Sequence, residues 1–535
     1  MGDDSQSIYG FRGADIANIL SFEQHFPTAK VILLEQNYRS TQNILDAADS
    51  VISRNQHRKE KKLWTSNPGG EKIRYCQTFD GDGEARFVAT EIGGILRARP
   101  STKVAVLYRT NAQSRMFEES LRRARIDYNI VGGFSFYERA EIKDVVSYLK
   151  LAANPSDDIA FNRVINNPPR GLGSVSLEVI QKRAKQNGTS LWAAALSLID
   201  PATGSAGLLS GKAATAVFQF SELIGKLAKT VSECEADGGV SALVIAAIED
   251  TGYGAMLRKE NTEDSVSRLE NLDELVNAAV EYDGQENAFR EFLDHSALAS
   301  DTDKYDREAQ VTLMTVHAAK GLEFPTVFLV GLEDGIFPHS RSVSDKKELE
   351  EERRLAYVAI TRAEEVLYVT HAMRRRVYGA DTAAEPSQFL NELPLELIED
   401  LSDGRSWLSF ARGDSESSGT PTPQTTVARG GNPYTGKTYN TKGAIEEFFN
   451  RRKNANSQGA SPSDTQVKNP SIRGRDDGST DRNGLMPGAN VVHPKYGTGL
   501  VLKREGTGDN VKLTVSFSGH GQKKLMEKFA QLKKI

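Results

Sequence analysis

The sequence is poor in several residue types, and each shortage removes a class of protein. Only two cysteines, Cys76 and Cys234, occur in 535 residues. They exclude a disulfide framework and a thiolate zinc cluster. The eight histidines are scattered, with no H-E-x-x-H or comparable ligand spacing. No apolar run approaches the ~18 residues of a membrane span, so no membrane partner is expected. The first residues are acidic and polar and carry no signal-peptide character. A cytoplasmic protein is expected. Excess positive charge is also missing, the formal net charge being -5. Bulk basicity therefore does not advertise nucleic acid, although a local positive channel fits within an acidic chain.

What is present is a chain long enough for about three or four domains. Apolar residues make up 39% and charged residues 26%, which supports sizeable cores. Val31-Ile32-Leu33-Leu34 reads as a buried strand, and Ser40 to Val51 as a helix with Ile44, Leu45 and Ala48 on one face. Val104 to Tyr108 is a second buried strand, followed by a helix through Phe117 and Leu121. This alternation predicts a parallel α/β organisation. From about Ala140 to Ala299 the pattern is helical, punctuated by Pro155, Pro168-Pro169 and Gly171. Strand runs return at Val311–Thr315, Val327–Val330 and Val366–Thr370, the last ending before His371. One α/β domain interrupted by a helical insertion is the simplest reading. Leu393 to about Pro487 has linker composition, with a short apolar island at Ala444–Phe449. The last fifty or so residues show short apolar runs split by glycine-rich turns, the pattern of a small β-barrel.

Four segments carry chemistry. They are Gly2-Asp3-Asp4-Ser5-Gln6-Ser7-Ile8-Tyr9-Gly10-Phe11-Arg12-Gly13-Ala14; Glu35-Gln36-Asn37-Tyr38-Arg39-Ser40-Thr41; Thr315-Val316-His317-Ala318-Ala319-Lys320-Gly321-Leu322-Glu323-Phe324; and Glu352 to Ala363, which contains Thr361-Arg362. In this order they resemble the third, fourth, fifth and sixth motifs of superfamily 1 DNA helicases of the UvrD/PcrA/Rep type. The resemblance covers roughly Gly2 to Pro394, plus the tail. It implies a RecA-like P-loop NTPase motor, with a partial first and a near-complete second domain. It also implies a helical insertion and a C-terminal Tudor- or SH3-like barrel. The corresponding boundaries are 1–33 and 34–130 for the first-domain remnant and the first part of the second domain. They continue with 131–305 for the insertion, 306–395 for the rest of the second domain, 396–486 for the linker and 487–535 for the barrel.

The resemblance also assigns roles. Phosphoryl transfer needs cations where charge develops. Arg39 and Arg362 match arginines on the γ-phosphate, and Gln6 matches the glutamine that senses it. Tyr38 matches the ring stacked on adenine, and Glu323 the carboxylate at the ribose. Tyr9, Phe11 and Arg12 match a segment touching single-stranded DNA, which is held by backbone contacts and aromatic stacking. His317 and Lys320 match backbone-facing positions. Arg109, Thr110 and Asn111, just after a strand, are either phosphate contacts or an ordinary strand-to-helix turn. Arg170, Gly171 and Gly173 lie in a glycine-rich turn, which relatives use to grip duplex DNA ahead of the fork. A plain helix–helix turn has the same composition.

A formal phosphate-loop match, G-x-x-x-x-G-K-T, occurs at Gly431–Thr438. It follows linker sequence instead of a buried strand, and Pro433 removes one of the N–H donors such a loop needs. It reads as a coincidence. In the family the true loop and the Asp-Glu pair for magnesium precede residue 2. ATP and Mg2+ are thus implied for the complete enzyme, with the magnesium residues outside this chain. These 535 residues by themselves are expected to lack meaningful ATPase or helicase activity. A truncated gene or one part of a split protein explains that pattern, the latter implying a separate N-terminal fragment as partner. The tail, with Lys523, Lys524, Lys528, Lys533 and Lys534, resembles a module that binds RNA polymerase in relatives. A nucleic-acid contact and simple folding onto the motor compete with that role. The leading expectation is a 3′-to-5′ DNA helicase acting on single-stranded and forked DNA. The alternatives are a non-catalytic DNA- and RNA-polymerase-binding protein, or half of a split motor.

Overall fold

A computed structural model of the chain describes residues 2–203, 208–302, 309–404, 406–412, 490–494, 497–505, 512–517, 521–526, 530 and 533–534. The loop match at 431–438, the island at 444–449 and most of the expected linker lie outside the described residues. The chain divides into a large α/β and helical unit and a small C-terminal unit.

The N-terminal residues form single 3-10 turns at Asp4–Gln6 and Gly10–Arg12, then short helices α1 (Ala17–Leu20) and α2 (Phe22–His25) that bury no residue. The buried strand expected at Val31–Leu34 does not form. Ile32 and Leu34 are 70% and 69% exposed, and no described strand pairs with the run. A buried parallel strand exists only where neighbours supply ladder hydrogen bonds and cover for both faces.

The α/β body then begins. A two-residue parallel pair joins β1 (Gln36–Asn37) to β2 (Trp64–Thr65), with α3 (Gln42–Ile52) between them. Ile44, Leu45 and Ala48 of α3 are buried, as the periodicity predicts. Then come β3 (Ile73–Thr78), α4 (Gly81–Ala98), β4 (Val104–Tyr108), α5 (Ser114–Arg123) and β5 (Tyr128–Val131). After the helical insertion the body resumes with β6 (Val311–Thr315), β7 (Phe324–Leu329), α15 (Lys346–Ile360) and β8 (Ala363–Ala372). A hairpin of β9 (Arg374–Val377) and β10 (Ala380–Ala383) follows, then β11 (Ile398–Asp400).

Seven strands form one all-parallel sheet in the order β11-β3-β8-β7-β4-β6-β5. All five residues of β4 are buried because both faces are covered. Ala105, Leu107, Val327 and Leu367 pack with α3 and α15, while Val104, Val106, Phe328 and Tyr368 pack with α4 and α5. β8 runs on to Ala372, past the expected end before His371, whose side chain is buried beside Tyr75. The expected linker start is also corrected. Residues 398–400 supply the edge strand β11, and Leu408 of the helix Trp407–Arg412 is fully buried, so the body continues past 395.

The insertion comprises α6 (Ala140–Ala153), α7 (Asp158–Val164), α8 (Ser174–Asn187), α9 (Leu191–Ile199), α10 (Gly211–Asp237), α11 (Val240–Asp250), α12 (Tyr253–Glu260), α13 (Glu263–Val280) and α14 (Ala288–Thr302). Phe161, Trp192 and Phe220 meet edge-to-face at its centre, with centroids 6.0–6.5 Å apart. The small unit is an antiparallel five-stranded sheet in the order β15-β14-β13-β12-β16. Its strands are β12 (Asn490–His493), β13 (Gly497–Glu505), β14 (Lys512–Phe517), β15 (Gly521–Met526) and β16 (Lys533–Lys534). Val491, Leu513 and Val515 are buried, and a register shift between Val501 and Lys503 marks a bulge in β13.

Candidate nucleotide and nucleic-acid interface

Arg39 and Arg362 come from distant parts of the sequence and meet beside α3 and α15. The turn leading into α3 is locked from both sides. The Asn37 carboxamide oxygen accepts from the N–H groups of Arg39 and Ser40, each at 2.9 Å. The Asn67 amide donates towards the carbonyls of Tyr38, Arg39 and Ser40 at 3.2, 3.4 and 3.2 Å. Ser40 Oγ donates to Ala363 O at 2.6 Å, tying this turn to the start of β8. The Tyr38 ring is left outside, 74% exposed, with its hydroxyl donating to Gln36.

Arg39 Nε donates to Glu323 Oε2 at 2.5 Å and Nη1 to Thr361 O at 3.3 Å. Arg362 is buried, and its guanidinium donates to Val358 O, Leu322 O and Thr361 Oγ1 at 3.0, 3.0 and 3.2 Å. Burial first, and then the Arg39 cation, bring its pKa down to about 10. It stays charged at neutral pH, and an anion placed between the two arginines offsets their mutual repulsion.

Gln6 sits at the same edge. Its amide donates to Asp3 Oδ2 at 2.8 Å, and Asp3 is also paired with Lys61. The Gln6 carbonyl accepts from Lys320 Nζ at 2.8 Å, and the same ammonium lies 5.0 Å from the Tyr9 ring centroid. Arg354 Nε donates to Ser7 O, and Gly10 N donates to Glu351 Oε1, both at 2.9 Å. A Cβ at Gly10 would displace that carboxylate and break its bond to the Gly10 N–H. The structure thus holds Gln6, Tyr9 and Lys320 together, with Phe11 and Arg12 in the next turn.

The other expected contacts fare differently. Arg109 is committed to a bidentate pair with Glu352, at 2.7 and 3.0 Å. Thr110 caps the short helix Asn111–Gln113, and Gln113 Oε1 accepts from the N–H groups of Arg109 and Thr110. The strand-to-helix turn thus accounts for Arg109 and Thr110 without a ligand, and Asn111 only opens the short helix. Arg170 is turned inward. It donates to Val164 O and the Tyr148 hydroxyl, at 2.9 and 2.6 Å, and lies over the Phe220 ring. An arginine beside glycines reads as a phosphate grip, but its guanidinium is taken up by the fold. Only the backbone of Gly171 and Gly173 stays available there, Gly173 opening α8.

Asn67, Lys61, Glu351 and Arg354 were not singled out from the sequence. Asn67 lies in a Ser-Asn-Pro-Gly-Gly turn, and only the tertiary fold brings that turn over Tyr38–Ser40. Among the described residues, no group of three or more His, Cys, Asp or Glu is arranged to hold a metal ion.

His317 carries a pH signature. Burial first, and then the nearby Arg109 cation, lower its pKa to about 4. The imidazole is therefore neutral at pH 7. Because the folded pKa lies below the ordinary 6.5, the unfolded chain binds the proton more readily between pH 6.5 and 4. Stability is lost as pH falls through that window. The wild type is expected to lose about 2 kcal/mol between pH 7 and 5 through this group, and His317→Asn to lose correspondingly less. Urea unfolding of both proteins at the two pH values checks this, and equal losses count against it.

Three family models match: the UvrD-like helicase C-terminal domain at residues 32–374, the PcrA/UvrD tudor domain at 488–534, and the UvrD/REP helicase N-terminal domain at 1–27. The chain is 39% identical over 543 residues to the ATP-dependent DNA helicase PcrA of Staphylococcus aureus (strain Mu50), covering 100% of this chain and 66% of that protein. It is 40% identical over 541 residues to PcrA of Staphylococcus epidermidis (strain ATCC 12228), again covering 100% and 66%. The chain therefore spans just under two thirds of the length of these relatives. A solved C-terminal domain of a possible DNA helicase from Lactobacillus plantarum covers 68% of this chain and 98% of its own, at 10% identity. Its TM-score of 0.27 is too low to bear on the fold. The matches establish the α/β body as RecA-like and the C-terminal barrel as tudor-like. The chain belongs to the UvrD-like helicase family.

Proposed function

We propose that these residues form the C-terminal part of an ATP-driven 3′-to-5′ DNA helicase of the cytoplasm, acting in repair, recombination or replication restart. The observation that carries this reading is the seat of the Gln6 segment. The Gln6 amide meets Asp3, whose charge reaches Arg362, and the Gln6 carbonyl accepts from Lys320, whose ammonium lies against the Tyr9 ring. A phosphate sensor at Gln6 and a base-stacking ring at Phe11, in successive turns of one segment, are what coupling of hydrolysis to translocation requires.

In this reading Arg39 and Arg362 neutralise the γ-phosphate, Gln6 senses it, Tyr38 stacks on adenine and Glu323 meets the ribose. Tyr9, Phe11, Arg12, His317 and Lys320 take single-stranded DNA. The backbone at Gly171 and Gly173 takes duplex DNA at the fork. ATP arrives with Mg2+, whose ligands belong to the phosphate-loop half of the complete enzyme. Arg109, Thr110, Asn111 and the Arg170 side chain act from behind, by holding the turns in place.

Titration of a labelled single-stranded oligonucleotide with the chain, followed by anisotropy, tests the DNA half of the proposal. Tyr9→Ala and Lys320→Ala are expected to weaken binding by about tenfold each, while Arg362→Ala leaves it nearly unchanged. Binding that ignores the first two substitutions rules out this surface.

A split motor is the second reading, favoured by the exposed apolar run Val31–Leu34 next to helices that bury nothing. A motor half supplied by another polypeptide would cover it. The exposed lysines Lys512, Lys523 and Lys524 of the barrel suit an anionic or RNA polymerase partner, as a non-catalytic binding protein would also require.

A further inference from the structure

On the sheet face opposite α3 and α15, a groove of about 930 Å3 runs along α4 beside the C-terminal end of α5. Among the described residues, four arginines line it, Arg86, Arg97, Arg123 and Arg125, against one acid, Asp127. All four are exposed, in a chain whose net charge is -5. Among the described residues, the guanidinium groups of Arg86, Arg97 and Arg125 enter no hydrogen bond or ion pair. Arg123 meets Glu119 at 3.3 Å through one nitrogen. The walls between these cations include the aliphatic side chains of Leu96 and Ile126, and among the described residues no aromatic ring lines the groove.

Arg125 adds an independent observation. α5 ends in a paired turn, with Arg125 N bonded to Arg122 O and Ile126 N to Leu121 O, each at 3.0 Å. The residue at this point takes the left-handed conformation and is usually glycine. Here it is arginine, with φ of 56°. The fold keeps a strained backbone at a position whose side chain lines the groove, and such strain concentrates at ligand-holding sites.

We propose that this groove docks an acidic, amphipathic peptide segment of a partner protein. Its carboxylates pair with the four arginines, and its apolar side chains rest on Leu96 and Ile126. Guanidinium groups pair bidentately with carboxylates, and an apolar floor between them suits a helix laid in a groove. A single nucleic-acid strand fits less well, because it binds through aromatic stacking that the described residues of this surface do not offer.

Three labelled probes titrated against the whole chain test the proposal by anisotropy: a synthetic helical peptide with glutamate and leucine on adjoining faces, the same peptide with lysine for glutamate, and a single-stranded oligonucleotide. The acidic peptide is expected to bind and the basic one not. The double variant Arg97→Glu/Arg125→Glu should weaken the acidic peptide by about tenfold or more. Arg290→Glu, on the insertion and 85% exposed, should change nothing. Arg125→Gly separates docking from folding: it should raise the thermal midpoint by about 2 °C while weakening the peptide about threefold. Equal binding of both peptides, indifference to the double variant, or a greater loss of oligonucleotide than of peptide binding in that variant would overturn the proposal. So would a lower midpoint for Arg125→Gly.

Discussion

Arg362→Ala is expected to lower kcat for ATP hydrolysis by about 10^3-fold or more, once the chain is joined to a motor half carrying a phosphate loop and acidic pair. The size follows from position. The guanidinium is held by three acceptors on the last turn of α15 and the turn before β7, next to Arg39. A group so fixed needs no reorganisation as charge develops on a transferred phosphoryl group, the condition under which electrostatic stabilisation is greatest. Burial first, and then the Arg39 cation, lower its pKa to about 10, and a polyphosphate between the two arginines offsets their repulsion. Arg362→Lys should not rescue, because one ammonium cannot span the three acceptors and the phosphate together. Truncation also leaves buried carbonyls unpaired, at about 1–3 kcal/mol each. Turnover is therefore compared with DNA affinity and thermal midpoint for the same variant. Hydrolysis within tenfold of wild type, in a protein that is folded and binds DNA, would falsify the assignment. The unjoined chain should give no DNA-stimulated hydrolysis with or without the substitution.

The second large effect concerns stability. Arg375→Ala is expected to cost about 3–5 kcal/mol, because it leaves two buried carboxylates without their cation. Arg375 donates to Glu333 at 2.6–3.0 Å and also to Glu84, and both glutamates are fully buried. Glu84 also accepts from Thr370 Oγ1 and Gly331 N at 2.6 and 2.9 Å, and Glu333 from Ala372 N at 2.8 Å. The cluster therefore joins α4, the turn after β7, the end of β8 and the start of β9. From β9 the effect reaches the insertion: Asn277 of α13 donates to Arg376 O at 3.0 Å and accepts from Gly379 N at 2.9 Å. Replacing all three charges together, as Arg375→Met/Glu84→Gln/Glu333→Gln, should restore most of the loss, since the cost comes from unpaired charge. Chemical denaturation of the three proteins decides it. A single-variant loss below about 1 kcal/mol would mean that water or relaxation compensates the carboxylates.

Much of the fold is legible in the sequence where one physical signal dominates. The runs at β4, β6 and β8 are apolar because both faces of a parallel sheet are covered, and α3 shows its buried stripe at helical spacing. Other elements hide. β3 reads Ile-Arg-Tyr-Cys-Gln-Thr, and α4 carries four glycines within eighteen residues, so neither shows a clean period. Val31–Leu34 misleads in the other direction: it has the composition of a buried strand and no described strand beside it.

The candidate site divides along the same line. Its residue types are local facts, so the segments around Gln6, Arg39, Glu323 and Arg362 can be picked out from sequence. Which arginines come together is not local. Arg39 and Arg362 meet each other beside Glu323, whereas Arg109 pairs with Glu352 and Arg170 with carbonyls of its own domain.

By itself, the sequence determined the order of the motifs, the α/β body with its helical insertion and the chemical types at the candidate nucleotide edge, because each depends on composition and spacing along the chain. The tertiary structure alone decided which charges meet and which partners hold them. It seated Gln6 on Lys320, closed Asn67 over Tyr38–Ser40 and buried Arg375 between two glutamates. It also left Arg125 strained beside an arginine-lined groove. The reason is physical: a charge acts through partners a few ångströms away, and those partners lie tens to hundreds of residues apart in the chain.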